Sequence, residues 1–260
     1  MKVASSLNDF AVLCMNHGFC KQGKTYSRCI GDGIYQSISI ASTEYLNPKS
    51  PEYTPMNKKS PCIKIGIWSM YSSLPEFYFS DRRFIGDFYP ENFMGASFQE
   101  NTFMGFNYEC EIMREIGFQT LDSITTQRKL VDITHRLQSI QYGFILPHQL
   151  LLCAPLFLCG EQSLVLNHLY GLYAQRWLNF HTKHDHLKEK GQIQEYLRLE
   201  GLCQTSMKEI SNFLHMIIGK RYTEIQELLV EYLNTNILLA KNNAIPLCDN
   251  FCGRYENLDS

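Results

Sequence analysis

The chain has 260 residues, of which 45% are hydrophobic and 19% are charged. This length and composition exclude wholesale disorder and a small disulfide-stapled scaffold, and they predict one large globular domain or two ordinary ones. The formal net charge of −2 argues against a nucleic-acid binder that neutralises many phosphates.

The N-terminal third of the sequence predicts a helix followed by an antiparallel sheet. Apolar residues at near-helical spacing predict a helix over Ser5–Asn16. Two strand-like runs, Lys24–Ile30 and Ile34–Ala41, flank Gly31-Asp32-Gly33 and predict a hairpin, because glycine tolerates the positive φ of a tight turn. Alternating isoleucines predict a further strand over Cys62–Ser69.

Helical periodicity dominates the rest of the chain. We therefore expect an α+β fold with two domains: an α+β domain with an aromatic-rich loop region over residues 1–107, and a mainly α-helical domain, a bundle or a helical hairpin, over residues 108–260. The predicted helices are Tyr108–Ile116, Thr125–Tyr142, Pro147–Leu158, Glu161–His181, Asp185–Leu199, Ser206–Ile218 and Thr223–Lys241.

Aromatic residues crowd the segment from Tyr71 to Asn107, which has no clear period. One interpretation is that these rings cover an open edge or face of the sheet. The other is a recognition surface built on rigid aromatic anchors. The second interpretation predicts a protein-binding surface, whose candidate residues are Arg28, Trp68, Phe79, Phe84 and Phe88.

The segment from Gly18 to Thr25 matches the phosphate-loop pattern G-x-x-x-x-G-K-[ST]. A working phosphate loop needs a helix that starts at the lysine, because the helix N-terminus supplies free amides and a favourable dipole. The residues after Thr25 favour a strand instead, so we expect Lys24 on a strand surface. The alternative is a nucleotide site in which Gly18, Gly23, Lys24 and Thr25 hold the phosphates.

The same residues carry a resemblance to a bacterial protein family. The runs Gly18-Phe19, Gly23–Arg28 and Tyr35–Ile40 resemble the opening of the domain of unknown function numbered four thousand three hundred and four, with a weaker echo at Gly117–Ile124. The resemblance covers residues 5 to 80 and implies an α+β fold, but no catalytic residues, since none are established for that family. It places Arg28 at a recurring strand position, where an arginine either clamps a carboxylate or pairs within the fold.

Three histidines form the pattern H-x-x-H-x-H near a predicted helix end: His181, His184 and His186. The first two share a helix face, a spacing compatible with metal ligation. Charged neighbours indicate a solvated turn, and no further ligand stands at a suitable spacing. We therefore expect neither a metal nor a cofactor.

The segment Met1–Met15 lacks the basic head and the cleavage site of a signal peptide. The most apolar stretch, Phe144–Cys159, is interrupted by proline and polar residues and is too short to span a bilayer. Ten cysteines lie scattered through long apolar segments, which is typical of reduced, buried thiols. These features predict a cytoplasmic protein that does not bind membranes.

No nucleophile elbow, kinase catalytic loop or dinucleotide fingerprint stands in the sequence. The expected function is a non-catalytic bacterial protein-binding module, adaptor or immunity-like, with a protein partner and no nucleic acid. The alternative is a nucleotide-binding enzyme or switch that uses residues 18–25.

Overall fold

The computed structural model describes residues 3–42, 61–72, 106–140 and 150–252. It confirms the α+β fold, with an N-terminal helix, a four-stranded antiparallel sheet and a largely helical remainder. The elements are α1 (Val3–Asn16), β1 (Cys20–Gln22), β2 (Thr25–Ile30), β3 (Ile34–Ser42), β4 (Pro61–Ser69), α2 (Phe106–Ile112), a π-helical turn (Met113–Gly117), α3 (Phe118–Ser123), α4 (Gln127–Ile140), α5 (Leu150–Leu158), α6 (Gln162–Glu189), α7 (Ile193–Ile218) and α8 (Tyr222–Asn242).

The strands lie in the order β1-β2-β3-β4, and each is antiparallel to the next. The predicted hairpin is confirmed: β2 and β3 meet at a turn in which Gly31 and Gly33 have φ values of 55° and 62°. L-residues with a side chain rarely adopt this region, which explains the two glycines. The short strand β1 was not predicted, because three residues carry no readable alternation.

The C-terminal segment returns to the sheet. β1 pairs with β2 only as far as Ser27, and Leu247 then lies beside Cys29 in a parallel bridge. The amide of Cys29 donates to the carbonyl of Pro246 at 2.9 Å, and the amide of Cys248 donates to the carbonyl of Cys29 at 2.9 Å. The C-terminal segment thus provides hydrogen-bond partners for backbone groups of β2 that do not pair with β1.

Side-chain alternation gives the sheet two buried faces. On β3, Ile34 and Ile38 face a cluster formed with α1, α2 and α3, whereas Tyr35 faces a cluster formed with α5, α6, α7 and α8. Helix α4 contributes Leu130 to the first cluster and Val131 to the second. The boundary predicted at residue 107 therefore does not separate two cores, since each cluster contains residues from both sides of it.

Two predicted helix breaks are wrong. The chain stays helical through residues 182–184 and through residues 200–205, so that α6 has 28 residues and α7 has 26. The hydroxyl of Thr182 donates to the carbonyl of Leu178 at 2.9 Å, which lets a polar side chain sit inside a helix. The chain reverses instead at Gly191. None of the helices within the described residues is long and apolar enough to cross a membrane.

Candidate functional site

The segment that matches the phosphate-loop pattern forms a strand hairpin. Gly18 follows α1, Gly23 and the exposed Lys24 form the turn between β1 and β2, and Thr25 begins β2. Lys24 therefore lies one residue before the strand on which it was expected. No helix starts at this lysine, so the segment lacks the ring of free amides with which a phosphate loop holds its ligand.

Arg28 is buried inside the fold, with 3% of its surface exposed. Its Nε and Nη2 atoms donate to Oε1 of Gln36 at 2.9 and 2.8 Å, and Nη2 also donates to Oδ1 of Asp122 at 2.6 Å. Nη1 donates to the carbonyl of His17. Of the two roles considered for this arginine, pairing within the fold is the one that its contacts support.

Aromatic rings enclose this polar cluster. The guanidinium of Arg28 lies 4.2 Å from the ring centroid of Phe19, and the ring of His17 stacks on that of Phe118 at 4.3 Å. Nδ1 of His17 also lies 2.9 Å from Oδ2 of Asp122. The cluster joins the turn after α1, β2, β3 and α3, so its contacts hold four parts of the fold together.

The sequence analysis did not single out Asp122, the acidic partner of Arg28. The two residues are 94 positions apart. One signal did point to this region: Asp122 lies in Gly117–Ile124, the second segment of the family resemblance.

The predicted binding surface needs a correction at two of its five residues. Trp68 is 5% exposed and stacks on Tyr35 with ring centroids 4.8 Å apart, so it belongs to the core, as Arg28 does. A large ring on the inner face of a strand is buried because its apolar area favours removal from water. The remaining three residues, Phe79, Phe84 and Phe88, lie outside the described residues.

The histidine motif lies within α6 and not in a turn at a helix end. His181 contacts the ring of Trp177 at a centroid distance of 4.2 Å, and His186 is exposed in the last turns of the helix. His184 belongs to the same helix. Across the described ranges, no group of three or more His, Cys, Asp or Glu residues is placed to hold a metal ion.

Helices α6 and α7 extend beyond the core. Among the described side chains, those buried on α6 lie near its start, at Val165, Leu169 and Leu172, and those buried on α7 lie near its end, from Ile210 onwards. Between residues 173 and 207 none of the described side chains is buried. We call residues 173–207 the arm: a helical hairpin about 25 Å long, from 1.5 Å of rise per residue.

Large apolar side chains lie exposed along this hairpin and on the turn of α6 that precedes it. Tyr170, Tyr173 and Trp177, which we call the aromatic stripe, are 54%, 39% and 53% exposed. Their spacing of three and four residues places them on one face of α6. Near the other end of the arm, Ile193 and Leu197, the tip pair, are 69% and 57% exposed. Exposed apolar residues grouped in this way form a candidate interaction surface.

The sequence analysis missed the arm because it divided both helices. With a predicted break at residues 182–184, Trp177 lies in the last turns of a predicted helix that ends at His181, and it is not among the predicted binding residues. Among known proteins, no family model, no curated protein sequence and no solved structure matches this chain. The resemblance carried by residues 5–80 stays a prediction.

Proposed function

We propose that the protein is a non-catalytic protein-binding module of the bacterial cytosol, adaptor or immunity-like, which contacts its partner through the arm. The observation that carries the proposal is the exposure of the aromatic stripe and the tip pair on a hairpin without buried side chains among its described residues. The bacterial assignment rests on the family resemblance.

The chemistry of the arm suits protein recognition. Tyrosine and tryptophan are enriched among the residues that dominate binding energy, because they bury a large rigid surface at a low cost in conformational entropy. Tyr173 and Trp177 stand on a continuous helix, so their backbone is ordered before a partner arrives. The sheet and the buried parts of α6 and α7 fix the base of the arm.

Two further observations favour a non-catalytic role in the cytosol. The polar cluster around Arg28 uses its donors on Gln36, Asp122 and the backbone of His17, which are contacts within the fold. Five of the described cysteines are buried as thiols: Cys14, Cys29, Cys62, Cys110 and Cys153. Reduced thiols of this kind are typical of intracellular proteins.

The alternative, a nucleotide-dependent enzyme or switch, loses its main support. Lys24 lies in a turn between two strands, and a strand, not a helix, begins at the next residue. The pattern match thus lacks the context that gives it chemical meaning.

Affinity capture from a lysate of the source organism tests the proposal. Three forms of the full chain serve as bait: the wild type, a Tyr173→Glu/Trp177→Glu variant and a Leu238→Glu control, whose changed residue is 59% exposed on α8. We expect the wild type and the control to retain the same proteins and the arm variant to lose them. Identical eluates from three baits of equal helicity would contradict the proposal.

A further inference from the structure

We propose that the protein which covers the arm is a second copy of this chain, so that two arms pack into a four-helix bundle. This inference rests on the proposed function, because it names the partner of the same surface. Three properties of the arm support it.

The first property is that two helices do not make a core. The two helices of the arm belong to the contacting pair α6 and α7, and none of the described side chains of residues 173–207 is buried. An amphipathic helix must bury its apolar side against a second layer. A second hairpin supplies that layer and gives each helix two neighbours, as in a four-helix bundle.

The second property is the exposed area. The five side chains of the aromatic stripe and the tip pair are between 39% and 69% exposed. For residues of this size these fractions correspond to roughly 600 Å² of exposed surface on each chain. A standard stable interface buries about 800 Å² per partner. The exposed apolar surface of the stripe and the tip pair is therefore of the same order as the surface that each partner of a stable dimer buries.

The third property is the distribution of charge along the arm. Residues 173–190 of the α6 half contain four basic and two acidic residues, whereas residues 193–207 of the α7 half contain two acidic residues and one basic residue. A two-fold axis along the arm places α6 of one chain against α7 of its partner, so unlike charges meet. Neighbouring helices are then antiparallel throughout, the arrangement of an up-down-up-down bundle.

Sedimentation equilibrium of the purified full chain tests this dimer over a range of about 1 to 100 μM, where interfaces of standard size associate. We expect a mass twice that of the 30.2 kDa chain. The test pair is Leu197→Glu and Leu238→Glu, because these leucines are 57% and 59% exposed and differ only in where they lie. We expect Leu197→Glu to weaken self-association at least tenfold and Leu238→Glu to leave it unchanged.

A wild-type chain that is monomeric over this range would overturn the dimer, and so would equal dimerisation of the two leucine variants. Because glutamate is a good helix former, the fold is expected to survive both changes. If circular dichroism shows a loss of helix in Leu197→Glu, Ile193→Glu repeats the test at the first residue of α7.

The failure of the dimer and the failure of the proposed function are distinguishable. If sedimentation shows a monomer and the Tyr173→Glu/Trp177→Glu variant loses the captured proteins, the dimer is contradicted. The arm then remains a binding surface for another protein. A monomeric chain whose captured proteins are unaffected by that variant contradicts both.

Discussion

Replacing Arg28 with methionine tests whether this residue holds the fold together or belongs to a binding surface. Methionine keeps much of the length of the side chain and removes its charge and all its donors. Oε1 of Gln36, a residue with 0% exposure, then loses both of its donors, and Oδ1 of Asp122 loses one. A binding arginine would leave stability unchanged when replaced.

The expected loss of stability follows from these contacts. A buried acceptor without a donor costs about 1 to 3 kcal/mol, and the lost contact of the guanidinium with Phe19 costs about 1 to 2 kcal/mol. The ion pair with Asp122 adds about 1 kcal/mol at most, because the Asp122 side chain is 41% exposed and its charge is screened by water. The total is about 2 to 6 kcal/mol, which lowers the melting temperature by about 4 to 11 °C for a chain of this size, at an unfolding entropy of about 2 cal/mol/K per residue.

Urea and thermal unfolding followed by far-ultraviolet circular dichroism measure this loss. Arg221→Met is the matched control, since it makes the same change at an arginine whose ion pair with Glu224 is exposed, and it is expected to cost about 1 kcal/mol or less. A stability of Arg28→Met within about 1 kcal/mol of the wild type would show that Arg28 does not hold the fold together. An Arg221→Met variant as unstable as Arg28→Met would show that the loss does not come from the buried contacts.

Three further predictions concern the turn, the thiols and the phosphate-loop pattern. Gly31→Ala is expected to lower the free energy of unfolding by about 3 kcal/mol, because φ at this position is positive and the added Cβ collides with the Thr125 carbonyl. Gly160 also has a positive φ, but the added Cβ meets open space, so Gly160→Ala is expected to cost about 1 kcal/mol in the same unfolding assay. Burial raises the pKa of the Cys153 thiol to about 12, so the unfolded chain releases this proton first, near pH 8.5. The stability from Cys153 is therefore complete below about pH 8.5 and falls by about 1.4 kcal/mol per pH unit above it. Other buried thiols act in the same direction, so Cys153→Ala is expected to lower the total alkaline slope by about this amount in unfolding experiments across this range. Magnesium-ATP and magnesium-GTP are expected to shift the melting temperature of neither the wild type nor Lys24→Ala.

Each of these predictions has a result that contradicts it. Equal losses for the two glycine variants would remove the collision as the cause. An unchanged alkaline slope in Cys153→Ala would show that this thiol ionises as readily in the folded chain as in the unfolded one. A nucleotide-dependent shift of the wild type that Lys24→Ala abolishes would restore the phosphate-loop alternative.

The sheet could be predicted because its signals are local. The alternating isoleucines of β4 and the glycines at residues 31 and 33 each act within a few positions, and the structure places the three predicted strands within one residue of the prediction. The partner of Arg28 could not be predicted in this way. Asp122 lies 94 positions away, and packing of α3 on the sheet brings the two together.

The arm escaped prediction for a different physical reason. Polar and charged residues around His181 and a glycine at residue 201 are typical of turns in a short window, yet a long helix tolerates them when that part is solvated on most sides. This part of the two helices is little buried, which explains both why the sequence does not indicate continuous helices and why Trp177 is exposed. The misread breaks and the candidate surface thus have one cause, a hairpin that extends beyond the core.

The most direct test of the arm as the binding surface is hydrogen exchange by mass spectrometry on the full chain, measured in a dilution series across its association range. We expect the amides of residues 173–207 to exchange more slowly as the chain associates, while those of α8 keep the same exchange rates. Slower exchange confined to another segment, or no change in the arm while the mass doubles, would contradict the assignment of the arm as the interface.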